Sequence, residues 1–197
     1  MIPIPELFGV LLVGSYLVGS VSFAALFAWI KGVDLRSIGS GNYGATNVYR
    51  AMGWLAAVGV LLLDAAKGAA MVALSQYVFQ SIIVDVLIGY AAIIGHMFSL
   101  YLGFKGGKGV ATTAGVFAVL APVPFGITAA VVVGVIVITR RVSVGSLVGC
   151  VVMPLSMVYI GIAPVIVWAA LPICVAVIVK HRSNIYRLIT RTEPPLT

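Results

Sequence analysis

Three short segments carry most of the polar chemistry in this 197-residue sequence. The first reads Gly39-Ser40-Gly41-Asn42-Tyr43-Gly44-Ala45-Thr46-Asn47-Val48-Tyr49-Arg50. Its glycines permit positive φ, so successive backbone N–H groups can turn toward one anion. Ser40, Asn42, Asn47 and Arg50 add side-chain donors. Gly39, Gly41 and Gly44 match GxGxxG, but no strand precedes them and no βαβ unit can form, so the dinucleotide reading fails. The second segment, residues 104–113, sets Lys105 and Lys108 among Gly106, Gly107 and Gly109 and runs through Thr112 into a helix. It lacks the Walker A spacing, and Gly109 stands where a magnesium-binding Ser/Thr belongs. Lysines in a glycine run at a helix start still describe a phosphate cradle. The third is the tail, residues 180–193. There His181 and Asn184 share a helical face, and Ile185, Leu188 and Ile189 predict a short amphipathic helix on a membrane surface.

Each segment has a plainer alternative. The first fits a flexible turn, and a histidine in a basic helix is usually solvated. The lysines fit a basic patch for anionic lipid, worth about 1 kcal/mol each, although such a patch does not call for glycines. Asp64 and Lys67 lie three apart within an apolar stretch and can neutralise each other, as a structural couple or as part of a site. No His-x4-Asp dyad is present, because Tyr101 follows His96 at that spacing and Tyr186 follows His181. Five acidic residues give no carboxylate pair and no His/Cys cluster, so neither metal nor cofactor is expected. Cys150 and Cys174 sit in apolar stretches and predict free thiols.

The elements that position these groups follow from composition. Hydrophobic residues make up 62% and charged ones 9%, against about 25% charged in a soluble domain. This excludes a soluble enzyme, a disordered chain and a disulfide-rich module. An all-α, polytopic membrane protein remains, with residues 1–197 as a single domain. Uncharged or nearly uncharged runs cover residues 7–30, 51–78, 86–101, 109–139 and 142–179. Glu6 replaces a basic n-region, so the first run reads as a retained helix rather than a signal peptide. The 109–139 run carries Pro122 and Pro124, and the 142–179 run carries Gly161 and Pro164. If each turns there and crosses twice, seven transmembrane helices result, and all basic clusters lie on one side. The positive-inside rule then places the N-terminus outside and the tail in the cytoplasm. The residues thus describe a cytoplasm-facing, metal-free site for one or more phosphates, with an apolar partner in the bilayer.

At these segments the sequence resembles the bacterial PlsY family, integral-membrane glycerol-3-phosphate acyltransferases that use acyl phosphate as donor. The matching residues are 39–50, Asp64-Ala-Ala-Lys67-Gly68, Gly95-His96 leading into Gly106-Gly107-Lys108-Gly109-Val110-Ala111-Thr112, and His181-Arg182-Ser183-Asn184-Ile185 with Arg187-Leu188 and Glu193. Tyr43 and Ser99 stand where the family often has Pro, and Arg191 where it has Gly. The resemblance implies acyl transfer from acyl phosphate to the 1-hydroxyl of glycerol 3-phosphate, giving lysophosphatidic acid and phosphate, the first step of bacterial phospholipid synthesis at the inner membrane.

Under that reading, Lys108 with the amides of Gly106, Gly107 and Gly109 (and Thr112 beyond them) holds one phosphate. Arg50 with Ser40, Asn42 and Asn47 holds the other. Ser143 and Ser146 offer hydroxyls at the same depth. His181 and Asn184 position the attacking hydroxyl, with the substrate's phosphate or His181 as base. Glu193, Asp64 and Lys67 hold the structure together. Membrane lipid surrounds the protein, and neither nucleic acid nor an obligate protein partner is implied. The rivals are a non-catalytic anion carrier or lipid-binding subunit, and an acyltransferase with a thioester donor.

Overall fold

A computed structural model describes residues 4–196. Among these residues there are ten α-helices, two 3-10 turns and no strand. The chain forms two compact units, Met1–Val119 and Leu120–Thr197.

The first unit opens with α1 (Ile4–Ser20) and α2 (Phe23–Lys31), where the hydropathy profile predicts one unbroken helix over 7–30. The break falls at Val21 and Ser22. Ser22 caps α2 by accepting from the Ala25 amide at 3.2 Å. The polar backbone freed by the break is satisfied internally, as hydrocarbon surroundings require. Ser99 donates its hydroxyl to the Ser20 carbonyl at 2.5 Å, and Lys67 donates to the Val21 carbonyl at 2.6 Å. α2 stops at Gly32, which takes the left-handed conformation of a helix C-cap.

Two further helices, α3 (Ala45–Met52) and α4 (Trp54–Phe79), replace the single expected run over 51–78. Gly53, at φ 82° and ψ −178°, lies outside any helical region and separates them. Residues 45–50, read as loop, are therefore helical. α5 (Ile82–Met97) follows, then a 3-10 turn at Leu100–Leu102 and α6 (Val110–Leu120). Small residues let these helices touch backbone to backbone. A Cβ on Gly19 of α1 would overlap the Ala92 carbonyl of α5, and one on Gly95 of α5 would overlap that of Tyr16. Gly115 of α6 lies equally close to the Ala65 carbonyl of α4. Val60, Val72, Ile88, Ala92, Ile93, Met97, Val116 and Phe117 fill the buried interior.

The second unit holds α7 (Pro122–Thr139), α8 (Val142–Ile160), α9 (Pro164–Lys180) and α10 (Arg182–Ile189). Pro122 and Pro164 each start their helix, where the missing N–H costs nothing. Gly161, at φ 77°, ends α8, so the 142–179 run does turn near its middle. α7 packs on α8 through Gly145 and Gly149, whose added Cβ would meet Ile136 and Val132. α9 and α10 bend by 60°. Cys150 and Cys174 are both free thiols.

Five of the described helical segments are long and apolar enough to cross a bilayer, and the bent α9–α10 pair makes a sixth. α6, with eleven residues, runs only about 16 Å at 1.5 Å per residue. Leu55, Leu62, Val133, Val137, Ile138 and Leu155 are exposed along these helices, as a lipid-facing surface requires. Trp29, Trp54, Tyr77, Tyr159 and Trp168 are exposed near helix ends, the position of interfacial aromatic belts.

Candidate active site

The first unit carries the two glycine-bearing loops. Ahead of the first, Asp34 caps the 3-10 turn at Leu35–Ser37, accepting from the Arg36 amide at 3.0 Å and its Nε at 3.1 Å. That guanidinium holds the exposed Asp34 carboxyl below its ordinary pKa. The loop then folds over Asn47, which is 1% exposed. Oδ1 of Asn47 accepts from the Ser40 amide at 3.0 Å, and its Nδ2 donates to the Leu35 carbonyl at 2.9 Å. Through these two bonds the Asn47 amide braces the loop from within. Arg50 passes over Gly39, where a Cβ would lie 3.1 Å from the Arg50 Cδ and 2.6 Å from the Asn47 Oδ1. With φ 56° as well, only glycine suits that position.

Asn42 ties the two loops together through a long hydrogen bond of 3.5 Å from Nδ2 to the Gly106 carbonyl. In the second loop the amide of Gly107 donates to the His96 carbonyl at 3.1 Å. This bond ties the glycine loop to the end of α5. A Cβ on Gly106 would overlap that same carbonyl, and one on Gly107 would overlap Nε2 of the His96 ring. Lys108, the lysine expected at a phosphate, is half-buried, while Lys105 is exposed. Thr113 donates its amide to the Gly109 carbonyl at 2.8 Å, starting α6. Thr112 is fully buried and its hydroxyl has no hydrogen-bond partner, so an oxygen in need of a partner lies one turn past the glycines.

Beneath this loop, Lys67 Nζ lies 2.7 Å from Asp64 Oδ1, the couple expected from their spacing. Sequence reasoning missed the third member. Nδ1 of His96 lies 3.0 Å from Lys67 Nζ and 3.5 Å from Asp64 Oδ1. The signals were the Gly95-His96 match to the family and a histidine at the end of a helix whose only Asp, Glu, Lys or Arg residue is Asp85. Asp85, also buried, accepts from the Ser75 hydroxyl at 2.6 Å and belongs to neither loop.

The second unit positions the tail residues. Glu193 is 5% exposed and gathers three donors. Ser143 gives its hydroxyl to Oε1 at 2.7 Å, Asn184 gives Nδ2 to Oε1 at 2.6 Å, and Arg187 gives Nε to Oε2 at 2.6 Å. Burial pushes the Glu193 pKa up, but these donors outweigh it and hold the carboxyl below its ordinary value. Arg141 Nε donates to the Glu193 carbonyl at 3.1 Å, and the Leu196 amide to that of Arg140 at 2.6 Å, strapping the tail to the α7–α8 turn. Ser146 turns away to the Val142 carbonyl of its own helix at 3.0 Å.

His181 sits at the α9–α10 bend, 3% exposed, with Nδ1 2.8 Å from the Val177 carbonyl. A carbonyl only accepts, so the neutral ring carries its proton on Nδ1 and its lone pair on Nε2. The buried side of α10 is the polar pair His181 and Asn184, while Ile189 is exposed and Ile185 and Leu188 are half-buried. Among the described residues, no group of three His, Cys, Asp or Glu side chains is placed to hold a metal ion.

A family model described as glycerol-3-phosphate acyltransferase matches residues 9–191. A glycerol-3-phosphate acyltransferase of Geobacter sulfurreducens is 42% identical over 179 residues, covering 91% of this chain and 92% of that protein. One from Halalkalibacterium halodurans is 42% identical over 203 residues, covering 97% and 96%. The crystal structure of PlsY (YgiH), an integral membrane glycerol 3-phosphate acyltransferase, in its glycerol 3-phosphate form aligns with a TM-score of 0.92 at 37% identity, over 96% of both chains. The lysophosphatidic acid form of PlsY (YgiH) aligns with a TM-score of 0.89 at 36% identity, over 95% of this chain and 94% of that one. Match, coverage and helical architecture agree: this chain belongs to the glycerol-3-phosphate acyltransferase family represented by PlsY.

Proposed function

We propose that this protein transfers a fatty acyl group from acyl phosphate to the 1-hydroxyl of glycerol 3-phosphate, releasing lysophosphatidic acid and phosphate. Relatives and structural neighbours bear the name of the acyltransferase, and the two neighbouring structures hold glycerol 3-phosphate and lysophosphatidic acid forms. The observation that carries the donor assignment is the joined pair of glycine loops. Asn42 links the loop of Arg50 to the loop of Lys108, so two cationic anion grips belong to one structure. Acyl phosphate and glycerol 3-phosphate each bring a phosphate.

Acyl phosphate is a mixed anhydride with a good leaving group, so no covalent enzyme nucleophile is needed. The substrate hydroxyl oxygen bonds to the acyl carbon, the bond from that carbon to the phosphate oxygen breaks, and the departing phosphate takes the hydroxyl proton. Phosphate suits this, since its second pKa in ordinary monoesters is near 6. Lys108 with the amides of Gly106 and Gly109, and Arg50 with Ser40 and Asn42, neutralise the two phosphates. Thr112 adds a hydroxyl. His181 accepts from the attacking hydroxyl at Nε2, with Asn184 beside it, and orients the nucleophile. Holding the reactants in attack geometry supplies several kcal/mol of the barrier.

Residues 1–197 act as one acyltransferase domain with seven crossings, the N-terminus outside and the grips facing the cytoplasm at the inner membrane. No metal, cofactor or obligate protein partner takes part, and the product enters phospholipid synthesis at its first step. Purified protein given acyl phosphate and glycerol 3-phosphate should form lysophosphatidic acid and phosphate in equal amounts. Uptake of labelled glycerol 3-phosphate into sealed vesicles without product would overturn the assignment in favour of a carrier.

A further inference from the structure

Beneath the glycine loop, three acceptors surround one ammonium group. Lys67 Nζ lies 2.7 Å from Asp64 Oδ1, 2.6 Å from the Val21 carbonyl and 3.0 Å from His96 Nδ1. An ammonium nitrogen donates and cannot accept, so at 3.0 Å Nδ1 of a neutral His96 ring receives a proton from Lys67, while Asp64 and the Val21 carbonyl hold the ammonium in place. The neutral ring then bears its own proton on Nε2. Phe23 adds its ring face 5.8 Å from the same Nζ, and Lys67, Asp64 and His96 are all nearly inaccessible. The other side of His96 meets the loop twice. Its carbonyl accepts from the Gly107 amide at 3.1 Å, and its Nε2 edge abuts the Gly107 Cα so closely that a Cβ there would overlap it.

We propose that Asp64, Lys67 and His96 act as positioning residues. Lys67, anchored by Asp64 and the Val21 carbonyl, fixes the ring orientation and tautomer of His96, and the fixed ring holds Gly106–Gly109 in its anion-gripping shape. None of the three touches substrate. The couple that sequence spacing marks as a structural pair thereby controls the affinity of a site it does not line. This inference rests on the proposed function for what the loop grips, but not for the tautomer of His96.

The chain has only two histidines, so both halves can be tested. In detergent-solubilised protein labelled with 15N-histidine, with His181→Gln used solely to assign resonances, His96 should show a protonated Nε2 and an accepting Nδ1 at neutral pH. The opposite tautomer or an imidazolium would overturn the inference whatever the enzyme's activity. For the second half, Asp64→Asn with Lys67→Met removes both charges together and avoids stranding a buried carboxylate. This pair, and His96→Asn separately, should each raise the KM for a phosphate substrate at least tenfold with kcat within about threefold. All three changes combined should raise it no further, because they break one chain of contacts. A smaller active fraction with unchanged KM, or effects that multiply, would reduce the triad to a structural filler. If the unmodified protein makes no lysophosphatidic acid, the function proposal fails while the ring spectrum still decides the tautomer.

Discussion

Nδ2 of Asn184 and Oε1 of Glu193 lie 2.6 Å apart, so the orientation of a candidate catalytic amide is set by the last acid in the chain. Ser143 shares the same oxygen and Arg187 takes the other. Hydrogen bonds to a charged group are worth about 1.5–3 kcal/mol each and are not additive. Glu193→Gln should therefore lower the melting temperature in detergent by several degrees and the turnover at least tenfold. A variant with unchanged melting and rate would show the cluster to be ornamental.

The same carboxyl predicts a pH dependence. Its folded pKa is depressed, so its contribution is fully present above its unfolded value, about 4.3, and is lost as pH falls through the folded value. Melting temperature should lack a Glu193 component between pH 6 and 8 and fall below about pH 4.5. Glu193→Gln should start lower and lose that part of the acid-side fall. A Glu193-dependent slope near neutrality would contradict the assignment.

Arg50 and Lys108 are half-buried at the two loops, whereas Lys31 is exposed. Arg50→Ala and Lys108→Ala should each cost at least two orders of magnitude in activity, from lost charge-assisted bonds to phosphate. Lys31→Ala should cost little. Equal losses at all three would indicate general surface charge rather than two grips.

Glycines divide by what a side chain would strike. Gly107→Ala pushes a methyl into the His96 ring, while Gly126→Ala meets nothing within 4 Å. Activity should fall more than tenfold in the first and stay within twofold in the second. Comparable activities would mean that the loop can move off His96 freely.

Donor and metal requirements separate cleanly. Turnover with acyl phosphate should survive excess chelator, and an acyl thioester should not replace it, having no phosphoryl group for Lys108 or Arg50. Robust thioester turnover would sink the donor assignment. Activity lost to chelator and restored by magnesium would overturn only the metal-free mechanism.

Crossing number can be read by single cysteines in a background lacking Cys150 and Cys174. Cysteines at Ser37, Lys105 and Arg191 should label from the cytoplasmic side and one at Gln80 from outside. Labelling of positions 105 and 141 from opposite faces would leave six crossings.

The loops and tail were legible because they are polar islands in an apolar chain, and the turn after Ile160 because Gly161 and Pro164 punctuate it. The break after Ser20 was not, since Gly-Ser-Val-Ser reads as ordinary helix until a lysine 46 positions away claims the freed carbonyl. α3 was missed because its capping residue is Gly44, which has no side chain to make a cap bond. The bracing role of Asn47 was not legible, because composition cannot say which way an amide points. Only the fold turned it toward Leu35 and Ser40. His96 is 29 residues from Lys67, and no periodicity links them.

The gap between α1 and α2 also bears on how the protein is made. Two backbone carbonyls at mid-span find their donors in Lys67 and Ser99, side chains synthesised long after the first helix has left the ribosome. Until they arrive, the broken first span is short of hydrogen bonds in a solvent that offers none. Membrane integration of the first hundred residues should accordingly behave as one event. Chains halted before Ser99 should remain protease-sensitive, and those halted after α6 should resist.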